Sequence, residues 1–129
     1  PPEILRRHPL DPRSAVVSLN HEPRFEDELF KQLLKEPRPG YIGAIGKAQR
    51  RAEREARARE AGIDLSPLEP VHTPVGLDIG GKEPEHIALS ILSEIVAVTH
   101  RRGGGHLSTH ADSSSSNIPS TAATFRSFR

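Results

Sequence analysis

The segment Gly40-Tyr-Ile-Gly-Ala-Ile-Gly46 ends on a glycine and runs directly into Lys47 and a long stretch of helix-forming residues. A short apolar strand that turns through glycine into a helix aims unpaired backbone N–H groups and the positive end of the helix dipole outward. Lys47 adds a full positive charge, so the junction at Gly46 and Lys47 is a candidate site for phosphate or pyrophosphate. Gly43, inside the run, lets another group come close to the backbone. The same glycines also suit a plain strand-to-helix turn, and the dinucleotide fingerprint G-x-G-x-x-G is absent.

Three more residues could do chemistry. Asn20 and His21 stand just beyond the apolar run Ser14–Leu19, at the position where α/β sheets present ligand-facing groups. Asn20 could hydrogen-bond a cofactor or a substrate carbonyl, and His21 could carry a proton near neutral pH; both could equally brace their own loop. Asp78, in Pro74-Val-Gly-Leu-Asp-Ile-Gly80, is a single carboxylate between apolar residues and glycines, suited to a ligand hydroxyl or ring nitrogen, or to capping its own loop. No Ser-His-Asp order, nucleophile elbow, zinc spacing or paired-carboxylate site is present, so catalysis by the chain's own side chains is not expected. His100, His106 and His110 lie in a Gly/Ser-rich stretch with Asp112 as their nearby carboxylate, which is a poor metal set.

The elements that would position these residues follow from periodicity. Ser14–Leu19 has strand length and β-branching, and Phe25, Leu29, Phe30, Leu33 and Leu34 form a helical stripe that Pro37 and Pro39 end. Lys47–Ala61 is rich in Ala, Arg and Glu and closes at Gly62, the residue expected in a left-handed helix end. Its apolar side is mostly alanine, which predicts a surface helix whose arginines at 50, 51, 54, 57 and 59 are solvated. Pairs such as Glu53 with Arg57 and Glu55 with Arg59 would assist it. Ser66-Pro67 predicts a single helical turn. Pro84 opens a helix to Val98 in which Ile87, Ala88, Ile91, Leu92, Ile95 and Val96 share one wide face, predicting a buried helix.

Composition narrows the classes. With 129 residues, 34% hydrophobic and 4% aromatic, the chain has room for one domain with a thin core. The formal charge of +1 builds in no general attraction to a polyanion, and no aromatic platform accompanies the arginines, so nucleic-acid binding through the Arg-rich helix stands as an alternative reading only. The absence of cysteine removes disulfides, persulfides and thiol nucleophiles. No run approaches the roughly 20 apolar residues of a spanning helix, and the reading is cytoplasmic with no membrane partner. Residues 1–13, with four prolines, read as a lead-in, 14–102 as the domain, and 103–129 as a disordered Gly/Ser-rich tail.

Five blocks in order then resemble one known family. Leu19-Asn-His-Glu, Gly40–Gly46, Ala61-Gly-Ile-Asp64, His72–Gly80 and Pro84–Val96 are similar to the C-terminal domain of the XdhC/CoxI family, over roughly residues 13 to 98. The resemblance implies the C-terminal half of a Rossmann-like α/β domain with a parallel sheet. It further implies a non-enzymatic maturation factor for a molybdenum hydroxylase of xanthine dehydrogenase type. Such factors bind molybdenum cofactor transiently, support its sulfuration with a cysteine desulfurase, and pass it to the apo-hydroxylase; self-association is also open. Asn20, His21, Gly43, Gly46, Lys47 and Asp78 would be the cofactor-binding positions. The family pattern has serine where this chain has Lys47 and threonine where it has Asn20, and its first strand and glycine-rich turn have no counterpart here. The competing Rossmann reading, an NAD(P)-linked oxidoreductase, lacks the pyrophosphate fingerprint.

Overall fold

The computed structural model describes residues 5 and 7–109. The strand β1 (Ala15–Ser18) leads into helix α1 (Pro23–Leu34), strand β2 (Tyr41–Ala44) and helix α2 (Gln49–Glu60). A 3-10 turn at Ser66–Leu68, helix α3 (Pro84–Thr99) and a second 3-10 turn at Leu107–Thr109 complete the order. Of the segment expected to form a disordered tail, residues 110–129 lie outside the described residues.

β1 and β2 pair in parallel, Ala15 opposite Tyr41 through Ser18 opposite Ala44, with α1 as the crossover. The sheet continues by one bridge, between Gly43 and His72. There Ala44 donates its N–H to the His72 carbonyl and His72 donates to Ile42, both at 2.9 Å. Sequence pattern alone puts His72 in a loop. A single bridging residue leaves no alternation to detect, and prolines at 70 and 74 hold the extended run to Val71–Thr73. The result is three adjacent parallel segments in sequence order, which is one half of a doubly wound sheet.

Strand alternation then divides the packing. Ile42 points to one side, into an apolar cluster with Leu5, Phe30, Leu33, Leu68 and Val71, against which Val16, Leu29 and Leu65 also pack. Leu5 and Leu10 bring the lead-in into this cluster. Tyr41 points to the opposite side and bonds Glu94 of α3.

Between α1 and α2 the contact is ionic. Glu26 is 1% exposed and Arg54 is 2% exposed. Arg54 donates Nε to Glu26 Oε1 at 2.7 Å and a second nitrogen to Thr73 Oγ1 at 3.0 Å. Arg50 reaches the other carboxylate oxygen of Glu26 at 3.1 Å. Arg57 takes both oxygens of Asp27, at 2.9 and 3.1 Å. The Arg54 guanidinium also lies 4.8 Å from the centre of the Phe30 ring. The expectation of a solvated arginine face is thereby corrected. Arginines 50, 54 and 57 recur at helical spacing and face inward, because α1 offers Glu26 and Asp27 where alanine alone would leave α2 without a partner.

α3 corrects a second expectation. It has no buried residue, and Ile87, Leu89, Leu92 and Val96 are 46%, 54%, 60% and 59% exposed. Ile91 and Ile95 are half-buried. An apolar helix announces that it wants cover without saying what supplies it, and here α3 rests on β2 through polar groups.

Removing one partner of the buried ion pair strands the other in a dry site, so Glu26→Ala should cost about 3–5 kcal/mol in urea unfolding. Arg59→Ala, at an exposed position of α2, should stay within about 0.5 kcal/mol. Joint replacement of Glu26 by Leu and Arg54 by Met should recover most of the loss.

Candidate functional site

Parallel strands collect their exits at one end, and five of the six predicted residues lie in the segments that follow those exits. Asn20 and His21 follow β1, Gly46 and Lys47 follow β2, and the loop carrying Asp78 follows the His72 bridge. Asn20, His21, Lys47 and Asp78 are all exposed.

The β1 exit is shaped by its own loop. Asn20 Oδ1 accepts the Glu22 N–H at 2.8 Å, an Asx turn that braces the entry to α1. Asn20 and His21 line a groove of about 760 Å³ whose walls include Val16, Leu19, Phe25 and Leu29. The Ser18 hydroxyl, also on this groove, is buried without a hydrogen-bond partner among the described residues. The groove is apolar with a few polar groups in its lining, the usual make-up of a small-molecule site.

At the β2 exit Gly46 adopts φ +115°, a conformation that side chains strongly disfavour. Its missing side chain also makes room for Arg50, whose Cδ would collide with a Cβ built there. The stem of Arg50 therefore roofs one side of the turn as its head reaches Glu26. α2 starts at Gln49 without a side-chain cap and without an acidic residue in its first turn, whereas α1 and α3 carry Glu26 and Glu85 in theirs. The positive end of α2, with Lys47 beside it, is thus not neutralised by its own first turn.

Gly43 sits inside β2, buried, and not at the exit. A Cβ there would lie 2.6 Å from Val75 Cγ2 and 2.8 Å from the Tyr41 hydroxyl. Its smallness admits the start of the third loop onto the strand. That loop is held by residues that local sequence pattern does not single out. Tyr41 donates its hydroxyl to Glu94 Oε1 at 2.5 Å, and the same oxygen accepts the Gly76 N–H at 3.0 Å. The His72 ring stacks on Tyr41 with centroids 4.9 Å apart and has Nδ1 3.8 Å from Glu94 Oε1. Ser90 donates Oγ to the Leu77 carbonyl at 2.5 Å. A signal for these residues exists all the same: Ser90 and Glu94 are polar positions four apart in a largely apolar helix.

Among the described residues no group of three or more His, Asp or Glu could hold a metal ion, and no helix is long and apolar enough to cross a membrane.

A crossover-linked parallel half-sheet with three loops and an unneutralised helix end at one pole defines a Rossmann-type α/β protein. The chain belongs to the XdhC Rossmann domain family, which it matches over residues 2–95. It is 28% identical over 89 residues to the molybdenum cofactor insertion chaperone PaoD of Escherichia coli strain K12, covering 69% of this chain and 28% of that protein. A probable xanthine dehydrogenase subunit of Bacillus subtilis strain 168 is 29% identical over 101 residues, covering 78% of this chain and 28% of its own. An uncharacterised E. coli protein, YqeB, is 28% identical over 91 residues, covering 70% of this chain and 16% of its own. The crystal structure of a xanthine dehydrogenase from Bacillus halodurans superposes with a TM-score of 0.56 at 27% identity, covering 84% of this chain and 31% of that one. The chain therefore spans less than a third of these relatives' length.

The Tyr41–Glu94 contact has a direct optical readout, because Tyr41 is the single tyrosine. Burial first, then the hydrogen bond to Glu94 and its charge, hold the phenol well above its ordinary 10.0. A raised folded pKa means that the unfolded chain loses its proton first, so this contribution is intact below pH 10.0 and drains away as pH rises beyond it. In an alkaline titration phenolate absorbance should stay flat through pH 10.0 and rise only with unfolding, while Glu94→Ala should bring it down toward 10.0.

Proposed function

We propose that this chain supplies part of the cofactor-binding surface of a maturation factor for a molybdenum hydroxylase of xanthine dehydrogenase type, without catalysis of its own. The observation that carries the reading is the pole where the exits of β1, β2 and the His72 segment meet. It combines a helix end with no internal counter-charge, an exposed Lys47, and an apolar groove whose lining includes Asn20 and His21. A molybdenum cofactor pairs an anionic phosphate or pyrophosphate with a flat, hydrogen-bonding heterocycle, and these donors suit both ends. Lys47 and the N–H groups of Ala48 and Gln49 would take the phosphate, since those of Arg50 and Arg51 are bonded to the Lys47 and Ala48 carbonyls; His21, the Asn20 amide and Asp78 would meet the heterocycle, with Gly46 forming the turn and Gly43 seating the third loop. When bound, the cofactor would be cargo held for sulfuration by a cysteine desulfurase and for insertion into an apo-hydroxylase. The name of PaoD supports the same assignment.

Two other readings lose ground. Three of the five arginines that a nucleic acid would need, Arg50, Arg54 and Arg57, are spent on Glu26 and Asp27. A dinucleotide-linked oxidoreductase needs a glycine fingerprint that the β2 exit does not carry.

Molybdenum cofactor released from a donor enzyme should co-elute with the chain on size exclusion, read by fluorescence of its oxidised pterin. Lys47→Glu should weaken retention by roughly ten- to a hundredfold, the worth of one charge-assisted contact. Retention unaffected by that change would remove Lys47 from the site, and saturable binding of NAD(P)H in its place would overturn the assignment.

A further inference from the structure

α3 buries no side chain, yet two of its polar residues are committed to one short stretch of the third loop. Ser90 and Glu94 are one helical turn apart on the same face. Ser90 Oγ donates to the Leu77 carbonyl at 2.5 Å, and the Leu77 N–H returns to the Ser90 carbonyl at 3.2 Å. Glu94 Oε1 accepts the Gly76 N–H at 3.0 Å. Gly76 has φ +107°, and a Cβ there would collide with Ser90 Oγ, so loop and helix are in close contact. Two residues on is Asp78, exposed and with no side-chain hydrogen bond among the described residues.

We propose that Ser90 and Glu94 are positioning residues that fix Gly76 and Leu77 on α3 and so hold the Asp78 carboxylate toward a ligand bearing N–H donors at the exit pole. This rests on the function proposed above and names what orients its third loop. Glu94 also joins that loop to β2, because the oxygen that holds Gly76 is the one that accepts from Tyr41. A rigid backbone before an unengaged carboxylate keeps the acceptor available without the cost of ordering the loop on binding. The pairing also accounts for a largely apolar helix that turns Glu94 toward the sheet.

The test uses the full chain with Glu94→Ala, Glu94→Gln, Ser90→Ala and Asp78→Asn. Amide hydrogen exchange at Gly76 and Leu77 requires no ligand, and Glu94→Ala should speed it at Gly76 by roughly tenfold beyond the global loss of stability that the freed Tyr41 hydroxyl brings. The same variant should weaken retention of molybdenum cofactor severalfold, as should Ser90→Ala and Asp78→Asn. Glu94→Gln, whose amide oxygen still accepts from Gly76, should restore both slow exchange and affinity. A loop loosened by Glu94→Ala with affinity unchanged would overturn the positioning role, as would an affinity loss that glutamine fails to rescue. Failure of the wild-type chain itself to retain cofactor would be a different result, removing the functional reading on which this rests.

Discussion

The carboxylate of Glu26, held in a nearly dry site by two arginines of α2, is the contact on which the other placements depend. A buried charge is tolerated only when its partners are in position, so α1 and α2 have one mutual arrangement that satisfies it. Arg54 extends the constraint to Thr73, next to the single residue that bridges onto β2. Arg50 extends it in the other direction, because reaching Glu26 lays its stem across Gly46. One carboxylate thereby sets the tilt of α2, anchors the third segment and packs the turn from which Lys47 projects. Both Arg50 and Arg54 must be in place to satisfy that carboxylate.

The two faces of the sheet are built on different physics. On one, Ile42 closes an apolar cluster with α1 and the 3-10 turn. On the other, α3 meets the sheet through Tyr41, Glu94, Ser90 and the backbone of Gly76 and Leu77. Hydrogen bonds specify direction where apolar burial does not, and the second face is the one that carries the loop with Asp78. Much of the apolar surface of α3 is left exposed, on a chain that spans less than a third of its relatives.

Much of this fold is legible in local chemistry. The strands at Ala15–Ser18 and Tyr41–Ala44, the helices that follow them and the left-handed Gly62 all announce themselves through β-branching, an apolar stripe, a proline stop or a glycine end. Gly46 is legible as a special turn but not as the floor beneath Arg50. Ser90 and Glu94 are visible as polar positions in a largely apolar helix, but the partners of Arg54, Glu94 and Ser90 are not legible. Arg54 meets a carboxylate 28 positions away and Glu94 a phenol 53 positions away, and no window of sequence contains both members of either pair.

Element order, the glycine-marked turns, the absence of thiol chemistry and membership of the family were determined by the sequence alone, because each depends on residue type and short spacing. Tertiary structure decided which arginines are buried, which side of α3 meets the sheet, that His72 extends the sheet, and that Gly43 lies inside β2 while the other candidate residues follow the strand exits. A helical or strand period identifies a face; only closure of the chain supplies what that face touches, and a charge becomes structural or free according to that partner.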